Sequence, residues 1–395
     1  MFDLKLIQQE LEREGADGWL LVDYENKNPN VVAFLGEKML TRKIFLYFPK
    51  EGKPQIICHK IDTVFLKDEE TLSHFDLNVY LSWKEMLEIE KSLLKSSKTI
   101  LMDVSEFGLL PRISLADYGS VEFVKSLGIN VLSSGDLQER FTATYSSRAF
   151  ALQKEACQKA LAIKDEAFLK IKEDILTKGV SDEYEIQQFI ARRFLEEGMV
   201  FDDAPIVAIN KNASDPHYGP TASVSSPIRR GDVVLIDMWA KMNDKEGVYA
   251  DITWMGYVEK EVPEKVSHRF HVLRMAIEKG FDFLKENLPL RRVEGYEVDQ
   301  VVYDFIKENG YEKGIIHRTG HNIAVDVSPH GPGVNIDNLE SHDTREIIDG
   351  VTFSLEPGIY LDDFGMRSET DVYIDKRKPV YMAGHQEEVI PILKD

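Results

Sequence analysis

The sequence predicts two domains: an α/β domain over residues 1–145, and an α+β domain over 146–395 built as an internal twofold repeat. Three observations lead there. Strand-like and helical patterns alternate through the first 145 residues. Residues 231–252 (GDVVLIDMWAKMNDKEGVYADI) and 349–374 (DGVTFSLEPGIYLDDFGMRSETDVYI) each read as two strand-like runs with one acid per run. Asp237 and Asp251 stand 14 residues apart, and Glu356 and Glu369 stand 13 apart. Each acidic hairpin is preceded by a helical stretch opening Tyr-Glu and closing at Gly, 184–198 and 296–310, with apolar residues at helical spacing. A single repeat of this length suits one pseudo-symmetric domain and not a solenoid.

In the first domain, strands are expected at 18–23, 43–48, 55–59 and 99–104, after an amphipathic N-terminal helix. A further helix is expected over 115–127, with Gly128 as its stop. Neither GxGxxG nor a phosphate-binding GK[ST] occurs here, so this domain shows no chemistry of its own. A boundary near Ser146 precedes a long helix from Arg148 to Gly179, and Asp182 with Glu185 signals the start of the first repeat helix.

Composition narrows the partners. A net charge of −20 argues against nucleic acid or an anionic membrane, which select basic surfaces. Two cysteines, Cys58 and Cys157, are too few for a disulfide framework, and no signal peptide or membrane span is evident. A cytoplasmic location is therefore expected.

The chemistry is expected in the second domain. Four carboxylates brought into one pocket would repel and take up protons unless cations neutralise them. Two divalent ions would serve, and they would also acidify a bound water and polarise a carbonyl. Three histidines, His317, His321 and His330, fall just upstream of the second hairpin, and His217 lies upstream of the first. The separation of His217 and His330, 113 residues, is close to the 112 between the repeat helices. Oxygen donors with an imidazole favour Mn, Co, Fe or Zn. The ordinary alternative is a pair of solvated acidic hairpins.

GDVVLID followed by YADIT, TGHNI, SLEPGIY and MRSE resembles the pita-bread metallopeptidase family that includes prolidase, aminopeptidase P and methionine aminopeptidase. The first domain is similar to the creatinase-type N-terminal domain of the prolidase and aminopeptidase P branch, as in residues 131–137 (VLSSGDL). The resemblance implies two metal ions held by Asp237, Asp251, His321, Glu356 and Glu369. It implies that Glu356 shuttles a proton while metal-bound hydroxide attacks an amide carbonyl, with cleavage before proline the favoured case. His217 and His330 would contact the scissile carbonyl and its neighbouring bond. His317 would lie on the substrate side, and Arg367 would hold a ligand carboxylate. Arg345, in the loop before the second hairpin, is the candidate for a substrate's terminal carboxylate. A homodimer acting on a peptide or small amide is the implied assembly. A metal-dependent C–N hydrolase or lyase on a non-peptide molecule, and a non-catalytic binding protein, are the alternatives.

The sequence departs from the family in three places. Asp237 is followed by Met238-Trp239 where the family has Gly after one residue, with a longer step to Asp251. Trp254 replaces an arginine, and Ser328-Pro329 sets His330 further from His321. These changes are expected to crowd the pocket and leave the ligands alone.

Overall fold

The computed structural model describes residues 2–325 and 328–394. The chain divides into two compact units, Met1–Gln138 and Glu139–Asp395. The division falls ahead of the expected 145/146 because residues just after it belong to the second core. Glu139 Oε1 accepts the Val334 N–H at 3.0 Å, and Ala143 packs with Val334 and Ile336.

The first unit is a six-stranded mixed sheet. Its strands are β1 (Gly18–Asp23), β2 (Ile44–Pro49), β3 (Gln55–His59), β4 (Asp76–Tyr80), β5 (Thr99–Met102) and β6 (Asn130–Ser133), ordered β4-β3-β2-β1-β5-β6. All six residues of β1 are buried, as its central place and unbroken apolar run require. Both edges, β4 and β6, carry polar and exposed positions and were not anticipated. The expected helix over 115–127 forms as Tyr118–Ser126, with Asp117 as its N-cap, and Gly128 takes a φ of 81° beyond its end.

The second unit begins with the long helix Ser147–Lys178, capped by the Ser146 side chain and closed by Gly179 in the left-handed region. The two repeat helices form as Glu183–Glu196 and Gly295–Glu308. Val233–Met242 and Ala250–Tyr257 pair antiparallel, and Ile206–Ile209 joins the other edge of Val233–Met242. In the second half, Thr352–Leu355 pairs with Thr370–Asp375, and Asn322–Ile323 adds to Thr352–Leu355. Apolar side chains of the long helix and the first repeat helix pack on the first hairpin, among them Ile163, Ile171, Ile190, Phe194, Ile236 and Ile252. On the opposite face of the first hairpin Val233, Leu235 and Met255 pack in a second apolar cluster with Phe270 and Leu273, and Asp237, Trp239, Asp251 and Thr253 follow along the same face. No helix among the described residues is long and apolar enough to cross a membrane.

Candidate active site

Strand alternation builds the first half of the site. In the register of the first hairpin Asp237 faces Thr253 and Trp239 faces Asp251, so these four side chains stand on one face. Trp254, one residue on, points the other way. It lies under the Lys164 ammonium of the long helix, 3.7 Å from the ring centroid, so the expected crowding of the pocket by Trp254 does not occur. Trp239 does line the cavity, and its Nε1 donates to Asp202 Oδ1 at 2.8 Å.

The second half is built where a hairpin is interrupted. Leu355 pairs with Thr370, and the inner pairs resume only at Gly358 with Arg367. Glu356 and Glu369 sit in the break, beside Pro357, which has no N–H to continue the ladder. Their amides are satisfied elsewhere: Glu356 N–H by the Thr319 carbonyl at 2.7 Å, and Glu369 N–H by the Thr253 carbonyl at 3.3 Å. These two bonds tie the ligand positions to the TGH segment and to the first hairpin. Asp299, on the second repeat helix, in turn accepts the Thr319 N–H at 3.0 Å. Gly320 allows the TGH segment to lie against the second hairpin, since a Cβ there would stand 1.9 Å from the Ser354 carbonyl oxygen. His321 N–H donates to Ser354 Oγ at 3.0 Å.

These segments converge on a cavity of about 600 Å³. One donor atom each from Asp251, His321 and Glu369 lies within 4.8 Å of the others. His321 Nε2 is 3.5 Å from an Asp251 oxygen and 3.4 Å from a Glu356 oxygen. The other ring nitrogen, Nδ1, is 3.2 Å from the Asn322 carbonyl, which fixes it as the donor and leaves Nε2 as a lone pair. Burial pushes His321 toward neutrality, against the pull of Glu356. A neutral acceptor nitrogen thus faces two carboxylates, an arrangement that a cation resolves.

The acids report the same need. Burial, and then Asp237, drive Asp251 well above the usual carboxylate range; burial, and then Asp251, do so for Glu369. Burial also raises Asp237 despite the Arg367 guanidinium against it. Glu356 ends below its usual value: burial pushes it up, and His321, His317 and Arg367 together pull it further down. This buried set of oxygen donors with one imidazole fits divalent metal.

Arg367 links the two hairpins. Its Nη2 contacts Asp237 Oδ2, its Nε donates to Thr253 Oγ1 at 3.1 Å, and that hydroxyl donates to Glu369 Oε2 at 2.7 Å. Its Nη1 donates to the Tyr360 hydroxyl at 2.9 Å. Tyr360 must then donate onward to His317 Nε2, 2.7 Å away, and His317 Nδ1 carries the proton shared with the Arg318 carbonyl at 2.7 Å. Asp251 has its own support, because Asp371 Oδ2 accepts the Asp251 N–H at 3.1 Å, and burial holds Asp371 up at about 8.

The remaining expected residues divide. His217 and His330 both line the cavity and are exposed to it. The His330 ring centroid is 4.0 Å from that of His321. Its place follows from Gly331, whose N–H donates to the Asn322 carbonyl at 2.7 Å, and from Ser328, whose hydroxyl accepts the His330 N–H. The segment just before, Asp326 and Val327, lies outside the described residues. His317 lines the cavity, and its ring nitrogens are engaged by the Arg318 carbonyl and the Tyr360 hydroxyl, so it positions Tyr360 and the Arg318 backbone. Arg345 is corrected. It is 4% exposed, held in a fork by Asp343 (3.0 and 2.6 Å), and donates to the Pro332 carbonyl. The guanidiniums that line the cavity are those of Arg318 and Arg367. Arg318, Glu340, Tyr360, Thr253 and Asp371 were not foreseen as site residues. Tyr360 and Thr253 stood inside the diagnostic motifs, and the others gave no signal.

The model of metallopeptidase family M24 matches residues 155–376, more than half of the sequence and all five ligand candidates. The chain belongs to this family. The putative Xaa-Pro aminopeptidase of Mycoplasma genitalium is 27% identical over 234 residues, 58% of this chain and 60% of the relative. The Xaa-Pro dipeptidase of Lactobacillus helveticus is 30% identical over 214 residues, 54% of this chain and 53% of the relative. These matches thus span little more than half the length of either relative. The crystal structure of dipeptidase PepE from Mycobacterium ulcerans superimposes with a TM-score of 0.64 at 18% identity, covering 98% of this chain and 96% of that one. This M24 chain therefore has the pita-bread metallopeptidase fold.

Proposed function

We propose that this M24 protein hydrolyses the amide bond before proline in short peptides, using two divalent ions held by Asp237, Asp251, His321, Glu356 and Glu369. The observation that carries the reading is the meeting of Asp251, His321 and Glu369 at the cavity floor, with Glu356 beside His321. Relatives described as Xaa-Pro aminopeptidase and Xaa-Pro dipeptidase support the substrate class. The ions would neutralise the acids and supply Lewis-acid activation of a water and of the scissile carbonyl.

The chain's own groups do the rest. Glu356, kept ionised, takes a proton from the attacking water as the water oxygen bonds to the carbonyl carbon. It then delivers that proton to the prolyl nitrogen as the C–N bond breaks. His217 and His330, on the cavity wall, donate hydrogen bonds to the carbonyl oxygen and to the adjoining peptide group. Arg367 keeps Asp237 and, through Thr253, Glu369 in place. The repeat of helix and acidic hairpin in both halves of Glu139–Asp395 supports a pseudo-twofold origin of the site, and the mixed sheet of Met1–Gln138 supports a creatinase-type N-terminal domain.

The test is full-length protein loaded with Mn²⁺ or Co²⁺ and offered Xaa-Pro dipeptides, longer Xaa-Pro peptides, proline-free peptides and non-peptide amides. Cleavage confined to the Xaa-Pro bond is expected. Hydrolysis of a non-peptide amide alone, or of no Xaa-Pro peptide by metal-replete protein, overturns the reading.

A further inference from the structure

The geometry points to Arg318 as the residue that reads the free C-terminal carboxylate of the substrate, making the chain a dipeptidase. This inference rests on the Xaa-Pro reading and asks which length of peptide fits. Seven acids line the cavity, and among its described lining residues the permanent cations are Arg318 and Arg367, with no lysine. Arg367 is buried and spends its nitrogens on Asp237, Thr253 and Tyr360. Arg345 is spent on Asp343 and Pro332. Arg318 is different, because its side chain is 24% exposed and faces the cavity.

Its guanidinium is also pre-oriented. Glu340 Oε1 accepts the Arg318 N–H at 3.0 Å, and Glu340 Oε2 accepts Nη1 at 3.1 Å. Glu340 is itself fixed, because Asp337 Oδ1 accepts its N–H at 2.9 Å. The Arg318 carbonyl is held by His317 Nδ1. These contacts use Nη1 and leave Nε and Nη2 without a hydrogen-bond partner among the described residues. Nε and Nη2 form the side-on fork that matches the two oxygens of a carboxylate. Arg318 and the ligand candidate His321 line the same cavity, so a group bound to Arg318 lies in the space that the ligand candidates share. A free carboxylate entering this acidic cavity would otherwise be repelled. An amide or a continuing peptide chain has no such charge to offer.

The experiment compares Ala-Pro with Ala-Pro-amide, and follows displacement of bound L-proline against prolinamide, on metal-loaded full-length protein. The parent is expected to prefer the free acid by about 10- to 100-fold in kcat/KM, the scale of charge-assisted hydrogen bonds to a carboxylate. Arg318→Ala is expected to bring that ratio to within about threefold of unity, chiefly through KM, and to abolish the preference for proline over prolinamide in binding. Arg318→Gln, which keeps the side-chain length, is expected to do the same, so a misfolded alanine variant does not decide the matter. A purely structural Arg318–Glu340 pair would slow both substrates alike. A ratio unchanged in both variants, or a parent that cleaves acid and amide equally, overturns the inference while leaving Xaa-Pro hydrolysis standing. A parent that cleaves neither overturns both.

Discussion

His330 is the residue at which sequence and geometry make the sharpest contrast. Its spacing from His321 departs from the family pattern, yet its ring stands 4.0 Å from the His321 ring at the cavity wall. The backbone bond from Gly331 to Asn322 sets that position, because it anchors the residue after His330 to the residue after His321. If His330 and His217 are donors to the developing oxyanion, His330→Ala and His217→Ala should each lower kcat by ~10²–10³. Neither is one of the five ligand candidates, so both variants should retain their metal by elemental analysis. A metal-replete His330→Ala protein with parental turnover would remove this residue from the chemistry. Arg345 teaches the converse. LESHDTRE offers a cation at a plausible point in the chain, but Asp343, two residues before, captures its guanidinium, and no pattern of letters records that closure.

At the scale of elements, legibility followed burial. Strands β1 and β3 stand where their apolar runs placed them, and the first hairpin forms over its whole length because one face is core throughout and the other is core at one end and site at the other. Strands β4 and β6 were missed because edge strands such as DLNVY and NVLS bury too little to leave a periodic signal. The second hairpin was legible as a pair of runs but not as a broken ladder. Its break follows from Pro357 together with amides that pair outside the hairpin, and only the fold supplies those partners. The ligand acids could be read from spacing. The groups that hold them could not, because Thr253, Tyr360 and Asp371 act through contacts between distant segments. The same limit applies to Glu90, on helix Trp83–Leu94. The sequence gives it no distinction, yet it is 1% exposed, and its Oε1 has no hydrogen-bond partner among the described residues. Burial raises it from 4.5 to about 7, against the pull of Lys43. Between those two values the folded protein holds more protons than the unfolded chain, so this residue's contribution makes stability fall as pH rises through that window. Below it both states are protonated, and above it the cost is constant. Glu90→Gln should therefore be no more stable than the parent at pH 4.5, and should gain on it by up to ~3 kcal/mol by pH 8. Urea midpoints whose difference does not widen between those pH values would show that Glu90 is not a cost to folding.

At the scale of the whole molecule, the site is a place where stability has been traded for chemistry. Metal-free Glu139–Asp395 must hold Asp237, Asp251, Glu356 and Glu369 together in a buried cavity, each no more than half-exposed and most of them buried. Ions bound only to the folded state return stability as RT ln(1 + [L]/Kd), ~2.7 kcal/mol at a hundredfold excess over Kd. For a unit of this size that is a shift in Tm of roughly 5–10 °C. Removing metal with a chelator should lower the melting temperature by that amount, and Mn²⁺ or Co²⁺ should restore it. Replacing one ligand by its neutral isostere should act in the opposite sense on the metal-free protein. Asp251→Asn removes a carboxyl whose ionisation burial and Asp237 oppose, while keeping the backbone contact to Asp371. The metal-free variant should melt above the metal-free parent, yet gain less than the parent from added metal and lose turnover. Two results together would reject the metal centre: unchanged melting of the parent on chelation, and no transition metal found after loading. An Asp251→Asn protein that melts below the metal-free parent would show instead that the carboxylates are held without mutual strain.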